Sequence, residues 1–182
     1  MQQSTSAVPS ADLPLRIATM ADAPAIAELM ALAIPALLGP YLTPAQIAAS
    51  HRVMGLDTQL IADGTYFVVH DGAALVGCGG WSRRATVYGG NHTGGRDARL
   101  LDPATEPARI RAMYTHPDHA RRGIGRRVLA AGEAAARAEG FARVRLAATV
   151  GGEKLYARFG YLPGQAFEDG GVPLLPMEKV LV

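Results

Sequence analysis

One stretch fixes what the middle of this chain can become. Ala108 to Thr115 reads as a strand, Pro117 breaks it, and Arg121-Arg122-Gly123-Ile124-Gly125-Arg126 runs straight into Arg127-Val128-Leu129. Ile124, Val128, Ala131, Ala135 and Ala138 recur three or four apart, which predicts a helix with one apolar face. Gly140 stops it with the residue type suited to a left-handed end. A strand, a glycine-bearing turn and a helix N-terminus together form an anion site. The free N–H groups of the first turn point outward, the helix dipole favours negative charge, and glycine lets a phosphate approach the backbone.

Which phosphate ligand is meant follows from what is missing. No Gly-x-x-x-x-Gly-Lys-Ser/Thr loop occurs. A dinucleotide fingerprint needs a third glycine three residues after Gly125, and Val128 stands there. Gly77-Cys78-Gly79 lies inside an apolar run, where close backbone packing or a bulge accounts for it.

What remains resembles the pyrophosphate loop of the GNAT N-acetyltransferase superfamily, Arg/Gln-x-x-Gly-x-Gly/Ala. Gly123 and Gly125 match the two small positions; Ala120 occupies the first, with the arginines one and two residues later. Met113-Tyr114-Thr115-His116-Pro117 is similar to the end of the family's fourth strand. Leu155-Tyr156-Ala157-Arg158-Phe159-Gly160-Tyr161 resembles its second signature, Tyr-x-x-x-Gly-Phe/Tyr. The two signatures stand in the right order, separated by a helix and a strand. The resemblance implies an α+β fold in three layers, a mixed, mostly antiparallel sheet with helices on both faces. Its fourth and fifth strands would splay apart to admit a pantetheine arm.

Other segments fit that plan. Residues 1–13 read as a loose tail and 14–182 as one domain. Thr19 caps a first helix with Ile26, Leu29, Met30 and Ala33 inward, ended by Pro35 and Gly39-Pro40. Thr43-Pro44 starts a second. Tyr66 to Val69 and Ala74 to Val76 flank Asp71-Gly72, a hairpin signal. Arg143 to Ala147 alternates as a strand, and Glu153 to Phe159 forms a short helix. Residues 84–107 fit no element; they are either a mobile loop over an acceptor site or a surface excursion.

Composition narrows the partners. With 18 Lys plus Arg against 16 Asp plus Glu, the chain lacks the basic excess of a nucleic-acid-coating protein. Its single cysteine, Cys78, allows no internal disulfide and no zinc cluster. No run approaches the ~18 apolar residues of a membrane span, and no signal peptide is legible. A cytoplasmic protein is the expectation. His116-Pro117-Asp118-His119 reads as a polar turn, not as metal ligands.

The resemblance also implies chemistry: acetyl-CoA as co-substrate, no metal, and an amine acceptor attacking the thioester in a ternary complex. Backbone groups of Met113, Tyr114 and Thr115 would hold the thioester arm. Arg121, Arg122, Gly123, Ile124, Gly125 and Arg126 would hold the pyrophosphate. Ala148 and Thr149 would line the pantetheine channel, and the Tyr156 hydroxyl would face the sulfur. A phenol near ~10 and a thiol near ~8.5 make full proton transfer uphill by about 2 kcal/mol, so a hydrogen bond to the developing thiolate suffices. For amine deprotonation Glu106, Glu28 and His116 are open candidates. Acceptor identity is not legible, and dimers are common among proteins that resemble this one. A non-catalytic acyl-CoA sensor on the same scaffold is the alternative.

Overall fold

The computed structural model describes residues 13–181. The tail expectation otherwise lies outside these residues, but Leu13, assigned to it, is buried against Val69, Val76, Ile124 and Val128.

Eight strands form one sheet: β1 (Leu15–Ile17), β2 (Tyr66–Asp71), β3 (Ala74–Ser82), β4 (Ala108–Thr115), β5 (Arg143–Thr149), β6 (Leu162–Pro163), β7 (Phe167–Asp169) and β8 (Val172–Val180). Their order is β1-β2-β3-β4-β5-β8-β6, with β7 also on β8. All pairings are antiparallel except β4 with β5. This is the expected mixed sheet. Strand β8 inserts between β5 and the short β6, which gives β5 a partner along its whole length.

Helices α1 (Ala23–Leu38), α2 (Pro44–Ser50) and α3 (Thr58–Ala62) cover one face; α4 (Ile124–Ala138) and α5 (Glu153–Arg158) cover the other. Thr19 caps a 3-10 turn, Met20–Asp22, ahead of α1. That turn is tied down by Asp22, which accepts from the Thr19 amide at 2.8 Å and from Arg16 at 2.7 and 2.8 Å. These donors hold the Asp22 carboxyl well below the usual range, the Arg16 hydrogen bonds most of all. In α2, Thr43 and Gln46 complete a reciprocal capping box.

Pro35 does not end α1, which continues to Leu38. A mid-helix proline costs about 3 kcal/mol. Ile34 and Leu38, at 2% and 0% exposure, offset that through burial. Met20–Leu38 is also long and apolar enough, by length and composition alone, to cross a membrane, which corrects the expectation that no run approaches such a span. Here Ile26, Leu29, Met30, Ala33, Ile34 and Leu38 are buried in the layer against the sheet.

Residues 84–107 are held to the rest of the fold at several points. Arg84 bridges to Leu100, Thr86 and Ala85 donate to the carbonyls of Asp97 and Arg99, and Asn91 caps the start of α3. Beneath them Arg111 of β4 reaches Asp57 at 2.9 Å and the carbonyls of Thr86 and Gly89 at 3.0 and 2.8 Å. Both side chains of that ion pair are 2% exposed. The segment is a strap, pinned from below by a buried charge.

Candidate active site

The site begins with a missed step in the sheet. Cys78 pairs with Tyr114, but Gly80 pairs with Arg111, so Ala112 and Met113 together face Gly79. That extra residue is a β-bulge. Ala112 takes a φ of 50°, unusual for a residue with a Cβ. Gly79 opposite has a φ of 153°, and a Cβ there would meet the Met113 Cα at 3.0 Å. The Tyr66 hydroxyl crosses from β2 to donate to the Ala112 carbonyl at 2.6 Å. Burial pushes that phenol well above its ordinary pKa, so it remains a donor.

The bulge also changes which way β4 faces. Before it, Arg109 and Arg111 point to the side of α1–α3. After it, Met113 packs toward α4 and Tyr114 enters the α1–α3 layer. Burial pushes the Tyr114 phenol above its ordinary pKa. Its ring is 7% exposed and packs with the buried residues of the α1–α3 layer.

Strand β4 meets β5 only at Ala108↔Val144 and Arg109↔Arg145. Beyond that the two diverge, leaving Met113, Tyr114 and Thr115 on one side of a gap and Ala148 and Thr149 on the other. Ala148 is 1% exposed, its methyl sealed into the α4–α5 layer, so only its backbone is available. Thr149 is half-buried at the strand end.

The loop ahead of α4 closes the lower end of the gap. After the turn Pro117–His119, Arg121 takes a φ of 64° and Gly123 one of 88°, and α4 starts at Ile124 with no side-chain cap. Such alternation turns successive N–H groups to one concave side. Gly77 sits so close to Ile124 that a Cβ would lie 2.3 Å from its Cγ2. Gly125 faces Leu155 and Thr115, whose atoms would lie 3.3 and 3.9 Å from a Cβ there. The loop, the end of β4 and α5 therefore converge.

The arginines divide. Arg121 and Arg126 are exposed, Arg126 lying 5.8 Å from the Phe159 ring centre. Arg122 lies 3.9 Å from Asp71, the carboxylate that His119 also meets at 3.2 Å. His116 and His119 stack edge-on at 5.4 Å, and among the described residues no three His, Cys, Asp or Glu side chains gather to hold a metal.

Tyr156 stands at the other side of the gap. Its ring packs edge-on to Tyr161 at 5.7 Å, and Gly152 brings it next to Thr149. Burial pushes its phenol up to about 12. Among the described residues no group hydrogen-bonds its hydroxyl, which leaves that proton for a ligand.

Two base candidates are placed elsewhere. Glu106 binds Arg99 through both oxygens at 2.8 Å, at the far end of β4. Glu28 is exposed, on the side of α1 away from the sheet. His116 adjoins Thr115, but its Nδ1 accepts from the Asp118 amide at 3.2 Å.

The Tyr66, Asp57 and Arg111 contacts were missed in the sequence. Tyr66 reads there as a plain strand residue, and Asp57 caps a five-residue helix too short to show a period.

A splayed parallel pair, a bulge at its mouth and an uncapped helix at its foot define an acyl-CoA-binding transferase fold. The Acetyltransferase (GNAT) family profile matches residues 26–161, and the chain belongs to that family of acyltransferases. Among solved structures it is similar to a GCN5-related N-acetyltransferase from Rhodopseudomonas palustris (20% identity, 97% of this chain and 100% of that one, TM-score 0.67). It is also similar to the PaiA N-acetyltransferase of Thermoplasma acidophilum, solved with coenzyme A (13%, 93% and 99%, 0.65). A third is yncA of Salmonella typhimurium, solved with acetyl-CoA (18%, 93% and 94%, 0.61). No curated protein sequence matches the chain.

Proposed function

We propose that this protein transfers an acetyl group from acetyl-CoA to an amine by direct attack in a ternary complex. The observation that carries it is the gap between β4 and β5, paired at only two positions and bulged at Ala112–Met113. The pantetheine arm lies in that gap, and the pyrophosphate on the N–H groups of residues 123–126. The Met113 amide donates to the thioester oxygen, where negative charge grows. The amine forms the C–N bond, the C–S bond breaks, and the amine proton leaves to water. The Tyr156 hydroxyl donates to the departing sulfur. A cytoplasmic location goes with this function, where acetyl-CoA is at hand.

The test is thermal unfolding with acetyl-CoA, with ATP and NAD as controls, then thiol release with an amine panel. Ligand at 100 times its dissociation constant stabilises by about 2.7 kcal/mol. For a chain this long the midpoint then rises by roughly 5–10 °C. No selective rise at millimolar acetyl-CoA removes the donor site. A rise without thiol release for any amine leaves the sensor alternative.

A further inference from the structure

The face of β5 opposite α4 and α5 carries Arg143, Arg145, Ala147 and Thr149. Among the described residues no β5 side chain belongs to the hydrophobic layer under α1–α3. On one side stands the strap, with Ala85 beside Arg109; on the other stands the β7–β8 hairpin. Tyr88 of the strap reaches across to the hairpin, its ring 6.1 Å from Phe167 and its hydroxyl 2.8 Å from Asp169. Phe167 pairs with Leu174 and Leu174 with Thr149, so this crossing lies at the thioester end. Ala147 puts only a methyl on the floor. The side chains of this face form one continuous strip of the sheet from the Thr149 end of β5 to Arg145.

At its far end lies a cation without a counterion. Arg109 is 8% exposed, and no carboxylate oxygen lies within 4.0 Å of it among the described residues. Its hydrogen bonds go to carbonyls: Nη1 to Pro107 at 2.6 Å and Nε to Ala85 at 3.4 Å. Its Nη2 has no partner among the described residues and is not among the sealed polar atoms. The nearby acids are already engaged. Glu106 is held by Arg99, and Glu178 is shared by Arg143 and Arg145 at 2.7–2.9 Å. Burial first, and Arg145 next, push the Arg109 guanidinium below its usual pKa. A buried cation beside a second cation is a costly arrangement that an incoming anion relieves.

We propose that Arg109 and Arg145 form an anion subsite for the acceptor, and that the acceptor is a peptide amino terminus with an acidic side chain near its fourth residue. The spacing sets that position. Arg109 pairs with Ser82 and Met113 faces Gly79, three residues along β3, so the bulged stretch spans about 10 Å at a strand's rise. An extended peptide with its amine at the thioester end covers that length between its first and fourth residues. The subsite rests on the acetyltransferase function proposed above, so its test reads binding, not turnover.

Two pentapeptides serve as probes, Ser-Ala-Ala-Asp-Ala and Ser-Ala-Ala-Asn-Ala, each with a free amino terminus and an amidated carboxyl terminus. Their binding is measured by calorimetry in the presence of CoA. A charge-assisted pair should favour the aspartate peptide by roughly ten- to a hundred-fold. In Arg109→Gln the preference should vanish while the acetyl-CoA melting shift persists. Glu178→Gln, which frees Arg145, should tighten the aspartate peptide several-fold, a gain that damage to the fold does not produce. Equal binding of the two peptides, or binding of neither at millimolar concentration, overturns the subsite. Failure of the acetyl-CoA melting shift in the wild type overturns the function instead.

Discussion

The Tyr66 hydroxyl lies 2.6 Å from the carbonyl oxygen of Ala112, two strands away. It reaches past Cys78, whose sulfur is 3.3 Å from the same hydroxyl. One buried hydrogen bond thus holds the carbonyl at the bulge, and with it the direction of the next amide, Met113. Tyr66→Phe leaves that carbonyl without its donor. Stability should fall by about 1–3 kcal/mol. The KM for acetyl-CoA should rise as well, because the arm's partner is no longer fixed. Denaturant melts with steady-state kinetics check both; loss of stability with unchanged kinetics would separate the bond from the site.

Gly77→Ala places a methyl 2.3 Å from Ile124 Cγ2, and Ile124 is 1% exposed with no room to retreat. The first residue of α4 must shift, and the phosphate loop with it. Overpacking of this kind costs about 1–3 kcal/mol. Acetyl-CoA should bind several-fold more weakly. Gly94→Ala, where nothing lies within 4 Å, is the control and should change neither melting nor affinity.

Tyr156→Phe keeps the ring contact with Tyr161 and removes only the hydroxyl. Turnover should fall by roughly ten- to a hundred-fold, with the acetyl-CoA dissociation constant unchanged, since a developing thiolate needs that donor more than the bound thioester does. Equal turnover in the variant would remove its catalytic role.

Asp57→Asn takes the charge from under the strap. Asp57 lies 2.9 Å from Arg111 and 2.5 Å from Arg96, and Arg111 cannot reach water. Removing one partner of a buried pair costs about 3–5 kcal/mol. Hydrogen exchange should rise across residues 84–107 before the sheet opens. Slow exchange there in the variant would show that other contacts hold the strap.

Stability should decline in alkali. Burial raises the Cys78 thiol from 9.0 to about 12, and the Tyr88 and Tyr156 phenols from 10.0 to about 12. Between pH 9 and 12 the unfolded chain has lost these protons and the folded one keeps them. The unfolded state then binds fewer protons, so unfolding becomes easier as pH rises. The contribution is complete below pH 9 and is lost as pH climbs toward 12. Urea midpoints from pH 7 to 11 measure it; a flat profile above pH 9 would place these groups in water.

Much of the fold was legible because its signals are local. The period of Ile124, Val128 and Ala135, the Thr43-Pro44 cap and the Asp71-Gly72 turn each specify an element within a few residues. Pro35 misled because its local penalty is outweighed by burial of Ile34 and Leu38, which depends on the sheet below. The strap escaped notice for a related reason. Its hydrogen bonds go to Asp57, Thr58 and Arg111, up to 39 positions away, and leave no periodic mark.

By itself the sequence determined the order of elements, the glycine-bearing loop at the head of α4 and the tyrosine of α5, because each rests on backbone preference and neighbouring residues. Tertiary structure alone decided the rest. Only the assembled sheet shows that β4 carries one residue too many, that β5 leaves it after two pairs, and that Arg109 is buried without a carboxylate. Register, divergence and desolvation are properties of strands in contact, and no single strand encodes them.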